Sequence, residues 1–236
     1  MTNGLVVNDR NQLEESGKNN FSEQPAAIRF IAKIISYIFH PVFVPVYLAL
    51  FMLYLHPWLF VGVAPFDKTR VVIMTIVMYS FFPVVTVLLL KALKFIQSIE
   101  LKTQKDRVIP LIASGIWYFW ITYIWWNSSK TDNTLFIPKA AVGLALAIFL
   151  GSWLGLMANI IMKVSLHAIS MGVMLAFIFL LAFSDPLNYG PYIGAALLIA
   201  GLVCSSRFIV SDHTAREVYG GLAVGIASML AANLFV

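Results

Sequence analysis

Seven times between residue 41 and the C-terminus the chain runs for about 20 residues with almost no charge, and that recurrence limits the fold more than any motif does. The runs fall near 41–64, 71–93, 109–127, 138–161, 165–184, 190–206 and 216–236. Each is long enough to cross a hydrocarbon core of roughly 30 Å. A backbone amide finds no water there, so each run must be a helix or part of a closed barrel. Continuous rather than alternating apolarity excludes the barrel. The expected fold is all-α, a polytopic transmembrane helical bundle of six or seven spans. A composition that is 60% hydrophobic and 11% charged, with a mean hydropathy of +0.85, is too apolar for a soluble domain and agrees.

Residues 1–25 are polar and mixed in charge, without the apolar centre of a signal peptide, and are expected to form a mobile tail. Residues 26–236 are expected to form a single transmembrane domain. It opens with 26–40, where Arg29 and Lys33 stand four apart among apolar residues, as in an interfacial helix. Pro83 lies inside the second run and is expected to kink it. With seven spans, 12 of the 16 basic residues fall on the face of the N-terminus, which the positive-inside rule assigns to the cytoplasm of a plasma (inner) membrane. In such a chain the net charge of +5 points to membrane topology and not to nucleic acid. A single cysteine, Cys204, excludes an internal disulfide and a cysteine-built metal site. His40 and His56 adjoin prolines without obvious partners and read as interfacial, and Asp185 with Asn188 reads as a turn. Gly220, Gly221 and Gly225 read as small-residue packing between helices.

Against this background three polar loops stand out, "LKTQKDRVIP" (101–110), "KVSLHA" (163–168) and "SSRFIVSDHTARE" (205–217). Even numbers of spans separate them, so all three are expected on one face. A charge at bilayer depth costs roughly 2.5 kcal/mol or more, so residues at such span ends tend to face an internal cavity or reach for headgroups. Arginine, lysine, serine and backbone N–H groups suit a phosphate. Two histidines add a nucleophile and a general acid. No carboxylate cluster suggests a metal, and no cofactor is expected.

The third loop, serine-arginine, five residues, histidine, three residues, glutamate, resembles the third signature of the type-2 phosphatidic acid phosphatase (lipid phosphate phosphatase) family, which ends in aspartate. "VSLH" (164–167) keeps the serine and histidine of that family's second signature, with Leu166 in place of glycine. In "KTQKDRVIP", Lys102 stands at the family's distance from Pro110, while Arg107 comes two residues early. The resemblance implies a metal-independent hydrolase, a lipid phosphatase or pyrophosphatase, acting on a phosphate or pyrophosphate ester of a membrane lipid through a phosphohistidine. His213 would attack phosphorus, Glu217 would orient its ring, and His167 would protonate the leaving oxygen. Arg207, Ser206, Ser165, the N–H of Leu166, Arg107, Lys102 and Lys105 would bind phosphoryl oxygens. The other reading is a non-enzymatic membrane protein that binds anionic headgroups or transports a small anion.

Glu217 has two competing uses. "TARE" (214–217) is a capping box, and with Thr214 as N-cap His213 would lie outside the helix and Glu217 would serve the cap. If Ser211 or Asp212 is the cap, His213 and Glu217 share a helix face, four residues apart.

Overall fold

The computed structural model describes residues 4–7, 13–16, 24–101, 103–130, 135–210 and 213–236. A two-stranded hairpin pairs Gly4–Val7 with Leu13–Ser16; the rest of the expected tail lies mainly outside the described residues. From residue 26 onward every described element is helical. The helices are α1 (Ala26–Ile38), α2 (Val44–Leu55), α3 (Pro65–Ala92), α4 (Gln104–Ser128), α5 (Lys139–Ile161), α6 (Leu166–Ser184), α7 (Gly190–Val210) and α8 (Ala215–Phe235). Six of them, α3 to α8, are long and apolar enough to cross a membrane. The chain is an all-α, multi-pass membrane protein.

The first expected run, 41–64, is corrected. Its helix has only seven α-helical residues and a five-residue π-turn, Phe51–Leu55, about 18 Å at 1.5 Å per residue. Pro57 sets the end, because the residue before a proline is driven out of the α region, and His56 has φ −79° and ψ 124°. The segment still joins both ends of the bundle. His40, ahead of α2, packs on His167, whereas His56, after it, meets Asp185 and Tyr189. His56 therefore does have partners. Its Nδ1 accepts from the Trp58 and Leu59 amides, and its Nε2 lies 3.3 Å from Asp185 Oδ2 and 2.5 Å from Tyr189 Oη. Pro83 is likewise met by a π-turn, Ile76–Phe81, in which the Phe82 amide reaches back to Val77 O. The extra residue in that turn accommodates the N–H that proline lacks.

At the centre α6 and α8 approach at backbone distance. A Cβ at Gly225 would stand 2.0 Å from Ile169 O, one at Gly172 2.2 Å from Leu222 O, and one at Gly221 2.6 Å from Ser165 O. Without a hydrophobic drive between helices in lipid, such close approach is a principal source of packing energy. It also sets the separation of the α6 N-terminus from the α8 N-terminus, where the polar loops are.

Candidate phosphate site

The three polar loops converge at one end of the bundle and are tied through backbone atoms. The Ser165 amide donates to Glu217 O at 3.0 Å, joining the second loop to the third. Arg107 Nη1 donates to Val164 O at 2.6 Å, joining the first to the second. Gln104 Nε2 donates to Asn159 O, and Asn159 Nδ2 donates back to Gln104 O. Arg107 Nε also donates to Leu101 O at 2.9 Å, and Leu101 holds a left-handed φ of 51°. That conformation costs a non-glycine residue of order 1 kcal/mol or more and is kept where surroundings impose it. Asp106, buried, accepts the Gln97 amide at 3.1 Å and so holds the approach to α4.

The third loop settles the competition for Glu217 in an unexpected way. Thr214 is the N-cap of α8, and the capping box is complete, with Glu217 Oε2 accepting the Thr214 amide at 2.9 Å. The same oxygen lies 3.0 Å from His213 Nδ1. A carboxylate has room for several donors, so capping and histidine pairing are not alternatives. His213 is outside the helix, as the cap requires, and still reaches the carboxylate. A carboxylate only accepts, so Nδ1 carries the proton. His213 is 2% exposed, and burial lowers its pKa from the ordinary 6.5, with the Glu217 bond pulling the other way.

His167, in the first turn of α6, has its Nε2 3.1 Å from Ser36 O, which fixes the proton on Nε2. Arg207 Nη1 donates to Ser36 Oγ at 3.3 Å. Arg107, Arg207, Leu166, His167 and His213 all line one cavity of about 410 Å³. From this polar end it runs between helices past Leu111, Ile148 and Val173, the last roughly two turns into α6. Val84 and Leu88 of α3 line it and are also exposed, so it opens on the flank of the bundle.

Other expected binders stand elsewhere. The Ser165 hydroxyl caps α6, accepting the Ala168 amide at 3.4 Å, and is fully buried outside the cavity wall. Ser206 Oγ is held between Ser36 Oγ and Val203 O. Lys105 is exposed and is not part of the wall. Lys102, Ser211 and Asp212 lie outside the described residues. The reason is common to the two serines: at a helix end a hydroxyl finds a backbone partner one turn away before it finds a ligand. Sequence reasoning missed Ser36 and His40, which come from the α1–α2 joint. His40 lines the cavity with its ring centroid 5.2 Å from that of His167, edge to face. Nothing in the local sequence links it to a position 127 residues away.

The arrangement offers an anion two guanidinium groups and the N-terminus of α6, beside an imidazole oriented by a carboxylate. Among the described residues no group of three or more His, Cys, Asp or Glu could hold a metal ion. Comparison of the chain with family models, curated proteins and solved structures gives no match. Fold and site together define a multi-pass helical membrane protein with a laterally open, cation-headed cavity.

Proposed function

We propose that this protein is a lipid phosphatase of the type-2 phosphatidic acid phosphatase kind, releasing phosphate from a membrane lipid through a phosphohistidine. The observation that carries the reading is the His213–Glu217 pair at a cavity headed by Arg107 and Arg207 and continued by apolar side chains open to the flank. A soluble phosphate ester would need no such apolar continuation, whereas a lipid needs both halves. The N-terminal face would be the cytoplasmic side of a plasma (inner) membrane.

In the first step the His213 Nε2 lone pair attacks phosphorus, forming a P–N bond as the bond to the ester oxygen breaks. Glu217, on Nδ1, stabilises the positive charge that the ring acquires. Arg107, Arg207 and the first amides of α6 hold the non-bridging oxygens, and charge grows on these as the transition state forms. The leaving oxygen takes a proton from His167 Nδ1, so His167 enters this step as the imidazolium, with the anionic phosphate as its counter-charge and its other proton, on Nε2, held by Ser36 O. Water then attacks phosphorus and gives a proton to His167, and the P–N electron pair returns to His213. Orthophosphate and the lipid alcohol are the products.

The test is phosphate release by the purified protein in lipid nanodiscs from phosphatidate, phosphatidylglycerol phosphate and polyprenyl pyrophosphate. Release abolished in His213→Ala is the expected result; no release from any of them by the folded protein would overturn the proposal. A second reading, binding of anionic headgroups or carriage of a small anion, draws on the π-turn of α3, a change of hydrogen-bond pattern inside a span that leads into the cavity-lining Pro83. Binding without release would favour it.

A further inference from the structure

Two site-facing features belong to neither of the three loops nor the resemblance. Ser36 is the last buried position of α1, and it makes three polar contacts, two of them with the site residues Arg207 and His167. Its Oγ bonds to Ser206 Oγ at 2.9 Å and accepts from Arg207 Nη1, and its carbonyl receives His167 Nε2. Four residues on, His40 packs edge-on against His167 and lines the cavity. Its Nδ1 accepts the Val42 amide at 3.5 Å, so the proton of the neutral ring is on Nε2. Burial, with the Arg207 charge as a second cause, lowers His40 to about 4, so it is a neutral donor near neutral pH.

We infer that the α1–α2 joint is a fourth limb of the phosphate site, in which His40 donates to the bound phosphoryl group and Ser36 positions Arg207 and His167. The inference rests on the phosphate-site reading above. Arg107, Arg207, His167 and His213 already line this cavity, and the half-buried His40 ring adds a neutral N–H donor to the same wall, where a bound anion would use it. Ser36 decides which nitrogen of His167 is left for the ligand, because a carbonyl can only accept. It also holds the Arg207 fork by one arm, which leaves orientation rather than charge as its contribution.

The experiment measures binding of inorganic phosphate to the full chain in nanodiscs, with the histidine ring nitrogens followed by ¹⁵N NMR. Adding phosphate should shift the His40 Nε2 signal together with those of His213. His40→Phe should weaken phosphate about tenfold or more, the loss expected for a hydrogen bond to a charged group, and His40→Gln, which keeps a donor, should recover most of it. Ser36→Ala should weaken phosphate and Ser36→Thr should restore it, with the hydroxyl back beside Arg207. If His213 signals move while His40 stays still, or if His40→Phe binds as the unaltered protein does while Arg207→Ala does not, the fourth limb is wrong and the phosphate site stands. If the unaltered protein binds no phosphate, both fail.

Discussion

Replacing Gly225 by alanine tests how the site is held together, far from any charged residue. The added Cβ would stand 2.0 Å from Ile169 O and 2.8 Å from Val173 N, both backbone atoms that cannot rotate away. Restoring an ordinary contact of 3.4 Å requires α6 and α8 to part by about 1.4 Å. Overpacking of this kind costs about 1–3 kcal/mol, offset in part by the preference of a helix for alanine over glycine, ~1 kcal/mol. The larger effect should be on chemistry. His167 rides on α6 two residues before Ile169, and Glu217 rides on α8 two turns before Gly225, so the two halves of the site separate with the helices. A misplacement near 1 Å can cost about 10²-fold in rate. Thermal unfolding in nanodiscs and phosphate release are the assays, with Gly201→Ala as the control, since a Cβ there meets nothing within 4 Å. Gly225→Ala should unfold several degrees lower and lose about two orders of magnitude in release, while Gly201→Ala keeps its release and unfolds no lower, the helical preference for alanine acting there unopposed. If Gly225→Ala matches the control in both, the close crossing does not set the site.

Glu217→Gln keeps a residue that can complete the capping box but removes the carboxylate from His213. Unfolding should shift by less than about 1 kcal/mol while phosphate release falls about 10²-fold or more; an unchanged rate would leave Glu217 to the helix alone. Because His40 is lowered from 6.5 to about 4 and His213 is lowered too, both resist protonation when folded. Their stabilising effect is complete above pH 6.5 and is lost as pH falls, over 6.5 to about 4 for His40, by at most roughly 3 kcal/mol. Unfolding temperature against pH checks this, and His40→Gln should flatten the acid side; an unaltered slope would count against it. At the other end of the bundle, Asp185→Asn removes the carboxylate facing His56 and should destabilise by about 1–3 kcal/mol without changing phosphate release, as measured by unfolding and by assay.

The bundle was legible because bilayer physics leaves few options: long apolar runs with no alternation read directly as spans, and α3 to α8 lie where those runs are. The first run was not, because its apolarity continues through Pro57 and beyond, and only local backbone geometry shows that the helix stops at Leu55. Convergence of three loops followed from counting crossings, and the cavity wall gathers Arg107, Leu166, His167, Arg207 and His213. Which serines face it was hidden, since the Ser165 hydroxyl is taken by its own helix cap and the Ser206 hydroxyl by Ser36, a partner 170 residues away in the chain. For Glu217 the sequence spacing supplies one partner at a time, while in the fold a single Oε2 accepts both bonds. His40 and Ser36 enter by tertiary packing of α1 against α7, which no local pattern encodes.

The most direct measurement is to stop the reaction after one step. Incubating the protein in nanodiscs with a lipid carrying ³²P in its phosphate, then quenching in alkali, preserves a phosphohistidine and destroys acyl phosphates. Base-stable, acid-labile label on the protein, mapped by mass spectrometry to His213 and missing in His213→Ala, is the result expected. Release of phosphate with no label on His213 would contradict the covalent route and leave Glu217, Arg107 and Arg207 acting on a water molecule instead.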